Sequence, residues 1–224
     1  MLIATSLGAI AFAAAAAGSL PRAAALPPMV VTVDVTVDLP PVVVSIAQHE
    51  ADAIWQPTGV TFIWRRAPRA NAPASVNPAD PCPPPPLGLR VVIGDNLGHA
   101  PADRVALGWI VFEADGAPAH EIYVSHRTAL EFMISTRGVS RPLAQMPTAE
   151  QNMMVGRAMG RALAHEMGHY LLGSKAHARR GLMQATHTAY SFFDVDRSAF
   201  EIDKAMRQEL AARLRHEPST AALQ

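Results

Sequence analysis

From Met29 to Leu39 the chain reads "MVVTVDVTVDL". Val31, Val33, Val35 and Val37 fall on one side, and Thr32, Asp34, Thr36 and Asp38 on the other. A period of two predicts a half-buried strand, which Pro40-Pro41 stops. The period then changes. Between Ser45 and Gln56, Ala47, Ala51, Ile54 and Trp55 follow the i, i+4, i+7, i+8 stripe of a helix, broken by Pro57-Thr58-Gly59. "VTFIW", Val60 to Trp64, returns to alternation with Val60, Phe62 and Trp64 on one side. A β-α-β opening predicts two parallel strands joined by a right-handed crossover.

Residues 67–86 are rich in proline and alanine and end in four consecutive prolines. They cannot form a ladder, and a surface loop, partly polyproline II, is expected within the domain. Three more strands are predicted at "LRVVIG" (Leu89 to Gly94), "ALGWIVF" (Ala106 to Phe112) and "HEIYVS" (His120 to Ser125). Thr128 with Glu131 fits a capping box, so a short helix should run from Ala129 and stop before Gly138. Thr148 with Gln151 fits a second box. It opens the longest helix, which should reach Leu172 and end at Gly173. One stripe of that helix holds Ala158, Ala162, His165 and His169; another holds Met159, Leu163, Glu166 and Tyr170. A last helix is expected from Asp196 to His216, with Phe200, Met206, Leu210 and Leu214 as its apolar positions. Five strands among these helices make the expected class α+β.

Composition bounds the rest. With 224 residues the chain suits one domain, expected over 29–216. Formal net charge is zero, which excludes a nucleic-acid partner held through a basic field. The first residues are apolar and Ala-rich, and "RAAALPP" offers an A-x-A site ending at Ala25, so 1–25 reads as a signal peptide. No Lys or Arg precedes Arg22, and the stretch also has the roughly 19 residues an anchor needs. A secreted or periplasmic protein is expected, a membrane-anchored one being the alternative. No other segment has the character of a span. The one cysteine, Cys82, excludes an intramolecular disulfide and reads as a free loop thiol.

The candidate chemistry lies in "ALAHEMGHYLLGSKAHARRGLM", Ala162 to Met183. "HEMGH" is H-E-x-x-H on a predicted helix. His165 and His169 are four residues apart and so share a face, where two imidazoles can hold one Zn²⁺. Glu166 sits one residue round the helix, placed to act on a water as a general base. A catalytic zinc needs a third protein ligand and an open position. Gly173 lets the chain reverse, and His177 follows four residues later; His187 and Glu201 are its rivals. The alternative without a metal, two core histidines and a Glu facing an apolar interior, would leave several polar groups to satisfy.

H-E-x-x-H, then Gly, then His, then a nearby Met resembles the metzincin clan of zinc metallopeptidases. Their signature is H-E-x-x-H-x-x-G-x-x-H followed by a Met-turn. Here three residues, not two, separate His169 from Gly173 and Gly173 from His177. The resemblance extends to element order and implies an α+β fold with a mixed five-stranded sheet, a motif-bearing active-site helix and a C-terminal helix. It implies that Met183 packs beneath the zinc ligands and that "ALGWIVF" is an antiparallel edge strand able to pair with a substrate backbone. Some members place a tyrosine two residues after that Met; Tyr190 comes seven after, and Tyr170 reads as a packed helix residue. The implied function is a monomeric, exported zinc-dependent peptidase acting on peptide or protein substrates. His165, His169 and His177 are its ligands and Glu166 its base. The alternatives are a metzincin-like zinc-binding protein without peptidase activity, acting as a binding or envelope-associated protein, and a structural domain with no metal.

Overall fold

The computed structural model describes residues 28–68, 88–95, 97, 106–136 and 145–216. The leader 1–25, Cys82 and nearly all of the proline-rich loop lie outside the described residues. Among those described, no helix is long and apolar enough to cross a membrane.

Five strands, β1 (Met29–Val35), β2 (Phe62–Arg66), β3 (Leu89–Gly94), β4 (Gly108–Phe112) and β5 (Pro118–Ser125), form one sheet in the order β2-β1-β3-β5-β4. β1 runs parallel to β2 and β3, and β3 parallel to β5. Only β4 is antiparallel, pairing with β5 at the sheet margin. The class is α+β with a mixed five-stranded sheet, as the metzincin resemblance implies.

Alternation decides which side is covered. Val31, Val33, Val91, Ile93, Ile122 and Val124 point into the core beneath the helices. On the opposite face Arg90 bridges Asp34 at 2.6 Å and Glu121 at 3.0 Å, across three strands. An exposed ion triplet of this kind adds little energy. It does mark register, since a one-residue slip of any of the three strands would turn its charge to the buried face.

Two long helices lie on the covered face, α1 (Pro41–Trp55) and α3 (Thr148–Leu172). They touch backbone to backbone. A Cβ on Gly156 would sit 2.9 Å from the Val43 carbonyl oxygen, and one on Gly160 would sit 2.6 Å from that of Ala47. The contact is tied by Trp55, whose indole N–H donates to the Ala164 carbonyl at 3.1 Å. Beside it Glu50 of α1 is buried between two arginines. Arg161 of α3 donates to Oε1 at 2.9 Å, and Arg197 donates to Oε2 at 2.8 Å. Burial pushes the Glu50 carboxyl up, but the two arginine hydrogen bonds and charges outweigh it and hold it below the usual carboxylate range.

Several boundaries differ from the sequence expectation. α1 starts four residues before Ser45, with Pro41 at its first position, where a missing N–H costs nothing. α2 (His126–Ser135) starts earlier than Ala129, because the Ser125 hydroxyl at the end of β5 accepts from the Thr128 N–H at 3.1 Å. In α3 Thr148 is already helical, and the Gln151 amide donates instead to the Met146 carbonyl at 2.8 Å. The expected last helix starts later than Asp196, at Lys204, and an unexpected short helix lies before it. A short α4 (Ala189–Phe193) and a 3₁₀ turn (Ser198–Phe200) precede α5 (Lys204–His216). Asp196 accepts from the Ser198 N–H at 3.0 Å, while Asp203 accepts from the Met206 N–H at 2.8 Å, so the helix starts at the second aspartate.

Candidate metal centre

The C-terminal half of α3 carries His165, Glu166 and His169, and Gly173 ends the helix in the left-handed conformation, φ 58°. The amides of Gly173 and Ser174 turn back to the carbonyls of Tyr170 and His169, a C-capping arrangement that only a residue tolerant of positive φ permits. The chain then returns over the helix. Ala178 donates to the Met183 carbonyl at 2.7 Å, closing a loop that begins directly after His177. One candidate ligand atom from each of His165, His169 and His177 lies within 4.8 Å of the others.

The orientation of each ring has a cause. His165 Nδ1–H donates to the Leu182 carbonyl and His169 Nδ1–H to the Ser174 carbonyl, both at 2.7 Å. A carbonyl can only accept, so each ring carries its proton on Nδ1 and turns a lone pair on Nε2 inward. The two Nε2 atoms stand 3.2 Å apart. Two unprotonated nitrogens at that distance repel, unless a cation lies between them. Tetrahedral ligands at about 2.0–2.1 Å from one zinc ion would be spaced about 3.3 Å, so the donor set fits. Burial also suits ligation. It lowers the His165 value to about 4 and pulls His169 down, keeping both rings neutral near pH 7.

Glu166 is 9% exposed and lines the same cleft. Burial raises its carboxyl to about 8, partly offset by the backbone amide of Ile110 on β4. A divalent cation nearby favours the carboxylate and draws that value back down. The carboxyl fits because the facing residue is Gly108, where a Cβ would lie 3.3 Å from Glu166 Cγ. Beneath the histidines, Met183 is buried with its thioether against Gly168.

The cleft has a volume of about 680 Å³ and is bounded on one side by β4. Lys175 sits at one end, its ammonium 5.0 Å above the Phe112 ring. His187 is in the cleft wall but outside the three-histidine cluster; its Nε2 is 3.4 Å from the Leu182 carbonyl. Glu201 is exposed and lies outside the cleft lining, and its carbonyl accepts from the Leu182 N–H at 3.0 Å. Tyr190 is exposed on α4 and also outside the lining. Tyr170 packs edge-on against His120, and the two share a 2.9 Å hydrogen bond. Sequence reasoning missed Gly108, Arg161 and the rings of Phe132 and Phe192. Their partners are remote in the chain, and only the buried arginine at Arg161, one turn before His165, carried a signal.

The fold is a mixed sheet with an antiparallel edge strand and a long helix that carries H-E-x-x-H, and it resembles a metzincin-like fold. In particular, it is similar to the crystal structure of archaemetzincin from Methanopyrus kandleri. The TM-score is 0.51 at 14% sequence identity, over 88% of this chain and all of that one. At that identity the likeness concerns the fold. The sequence matches no protein-family model and no curated protein.

Proposed function

We propose that the chain is an exported zinc-dependent peptidase that hydrolyses bonds in peptide or protein substrates. The observation that carries this reading is the convergence of three histidines on one point, with a buried carboxyl beside them in a cleft along an unpaired strand edge. His165, His169 and His177 hold the metal. A bound Zn²⁺ supplies Lewis acidity to the scissile carbonyl and acidifies a water. Glu166 accepts the proton of the attacking water and later passes it to the leaving amine. The outer edge of β4 is free of any partner strand among the described residues, and an extended peptide laid along it gains main-chain hydrogen bonds. The Ala-rich leader ending near Ala25 directs export.

The test is zinc stoichiometry beside a peptide-library digest with a chelator control. Wild type should bind one zinc and cut. Glu166→Gln should bind one zinc and not cut. If Glu166→Gln cuts at the wild-type rate, the assignment of the base is wrong. If wild type binds zinc and no substrate is cut, the chain is a zinc-binding relative of these peptidases.

A further inference from the structure

Between Gly173 and His177 the chain departs from the metzincin signature, and Lys175 is the middle of the three residues there. Its backbone is pinned on both sides. The Ser174 carbonyl accepts from His169 Nδ1 at 2.7 Å, and the Ser174 hydroxyl accepts from the Ala176 N–H at 3.1 Å. A serine that bonds the amide two residues ahead fixes the direction of the residue between them. Lys175 is therefore aimed by the same turn that orients the His169 ring. Its side chain lies in the cleft lining, with the ammonium 5.0 Å from the centre of the Phe112 ring, and Phe112 meets His169 edge-on at 6.2 Å. Together these contacts put the ammonium at most about 11 Å from the His169 ring, a reach of about three residues of extended peptide.

The charge around Lys175 is one-sided. Among the described residues it is the one lysine or arginine in the cleft lining, and Glu166 is the one carboxylate. Glu166 is buried against Gly108 and takes the Ile110 amide. Glu113 and Asp115 follow Phe112 in the chain, yet none of the ion pairs among the described residues involves Lys175. Arg179 and Arg180, exposed a few residues on, add two more positive charges. The Phe112 ring covers one side of the ammonium, and the N–H donors on its other side are left without a protein acceptor. The opposite end of the cleft, at Leu107, Phe132 and Phe192, carries no charge. The cleft thus has a polarity along its length, with a held cation at the Phe112 end and no acid of its own to meet it. Such a group attracts an anion from outside.

We propose that Lys175 is a specificity-determining residue that selects a substrate carboxylate at the Phe112 end of the cleft. The carboxylate comes from an acidic side chain within about three residues of the cut bond, or from the peptide's own C-terminus. The inference deepens the peptidase reading and rests on it for the cut bond. Lys175 is exposed, so water screens the pair and the preference is moderate.

Binding is measured first, by calorimetry on zinc-loaded Glu166→Gln protein. Alanine hexapeptides blocked at both ends carry one Glu, moved position by position. They are compared with the matching Gln peptides and with an alanine hexapeptide whose C-terminus is free. The best Glu peptide, or the free-ended one, should bind about fivefold tighter than its uncharged counterpart. An advantage of the Glu peptide identifies a side-chain carboxylate, and one of the free-ended peptide a terminal carboxylate. Lys175→Gln should bring the ratio close to one, and Lys175→Arg should keep it. Lys175→Glu should invert a side-chain preference, so that a Lys peptide binds better than the Gln peptide at the same position. A carboxylate that binds the zinc directly keeps its advantage in Lys175→Gln, and that result overturns the proposal. Equal binding of all peptides, no binding of any, or loss of zinc in the Lys175 variants overturns it too. A position-randomised library digest by the wild type follows. It should enrich Asp and Glu at one position near the cut, or cuts near the free C-terminus. Cleavage with neither preference removes the role of Lys175 and leaves the peptidase reading standing. Lys175-dependent binding without any cleavage does the reverse.

Discussion

Gly168 lies directly against the thioether of Met183, with no room for even a methyl group between them. The glycine is one residue before His169, and the methionine one residue after Leu182, whose carbonyl orients His165. The contact therefore sets the height of the returning loop beneath two metal-facing rings at once.

Gly168→Ala should force Met183 aside and cost about 1–3 kcal/mol, the range for an overpacked core. For a chain of this length that is a fall in melting temperature of roughly 2–4 °C per kcal/mol. Adding Met183→Ala should make the double variant's loss clearly smaller than the sum of the two single losses, because the pair shares one space. A strictly additive thermal cycle would contradict the contact.

Gly173 is left-handed, and a Cβ there would run into the guanidinium of Arg213 on α5. Gly173→Ala should thus combine a backbone cost of about 1 kcal/mol with displacement of a cation from the negative end of α3. The expected result is a lowered melting temperature in metal-free protein, with weaker zinc binding because the turn launches His177. Unchanged values for both in a melt and a zinc titration would show that the turn tolerates a side chain.

Glu50 gives a pH dependence outside the metal centre. Its folded carboxyl titrates below its ordinary value of 4.5. Below that pH the unfolded chain binds more protons, so stability rises with pH there. The contribution is fully present above pH 4.5 and is lost as pH falls through the folded value. Glu50→Gln should flatten this acid limb of a urea-unfolding series. It should also cost about 3–5 kcal/mol at neutral pH, since Arg161 is left buried without its counter-charge. A variant that keeps the wild-type acid limb would place the titrating group elsewhere.

The third ligand is decided by comparing His177→Ala with His187→Ala. Losing His177 should weaken zinc by more than about 100-fold, beyond the 10–100-fold typical of an outer-shell partner. Losing His187, which touches only the Leu182 carbonyl at 3.4 Å on that side, should change it by about tenfold or less. The reverse order in a competition titration would move the ligand set.

Local pattern made much of this legible. β3 spans the residues its apolar run marks, and α3 begins at Thr148 and ends at Leu172 before its glycine, as predicted. The three histidines that the fold gathers are those that the spacing singles out, because they are close along the chain. What escaped was of two kinds. Short elements have too few residues for a period: α4 is one capped turn on Thr188, and no periodicity marks it. Long-range pairs leave no trace in spacing. Arg161 finds Glu50 across 111 residues, and Phe132 of α2 finds Phe192 of α4 with the whole of α3 between them in the chain. The capping boxes failed for a related reason, since Ser125 sat at a strand end and was counted there.

All three clustered histidines lie within thirteen consecutive residues. Closing so short a loop around an ion costs little chain entropy. An unfolded chain can therefore still chelate with the same three rings, and whatever affinity it retains subtracts from the stabilisation that zinc confers on the native state. The melting temperature should consequently climb less with added zinc than the native affinity alone implies. Zinc should also be able to seed the α3 turn during refolding, before the distant β-strand pairs have met.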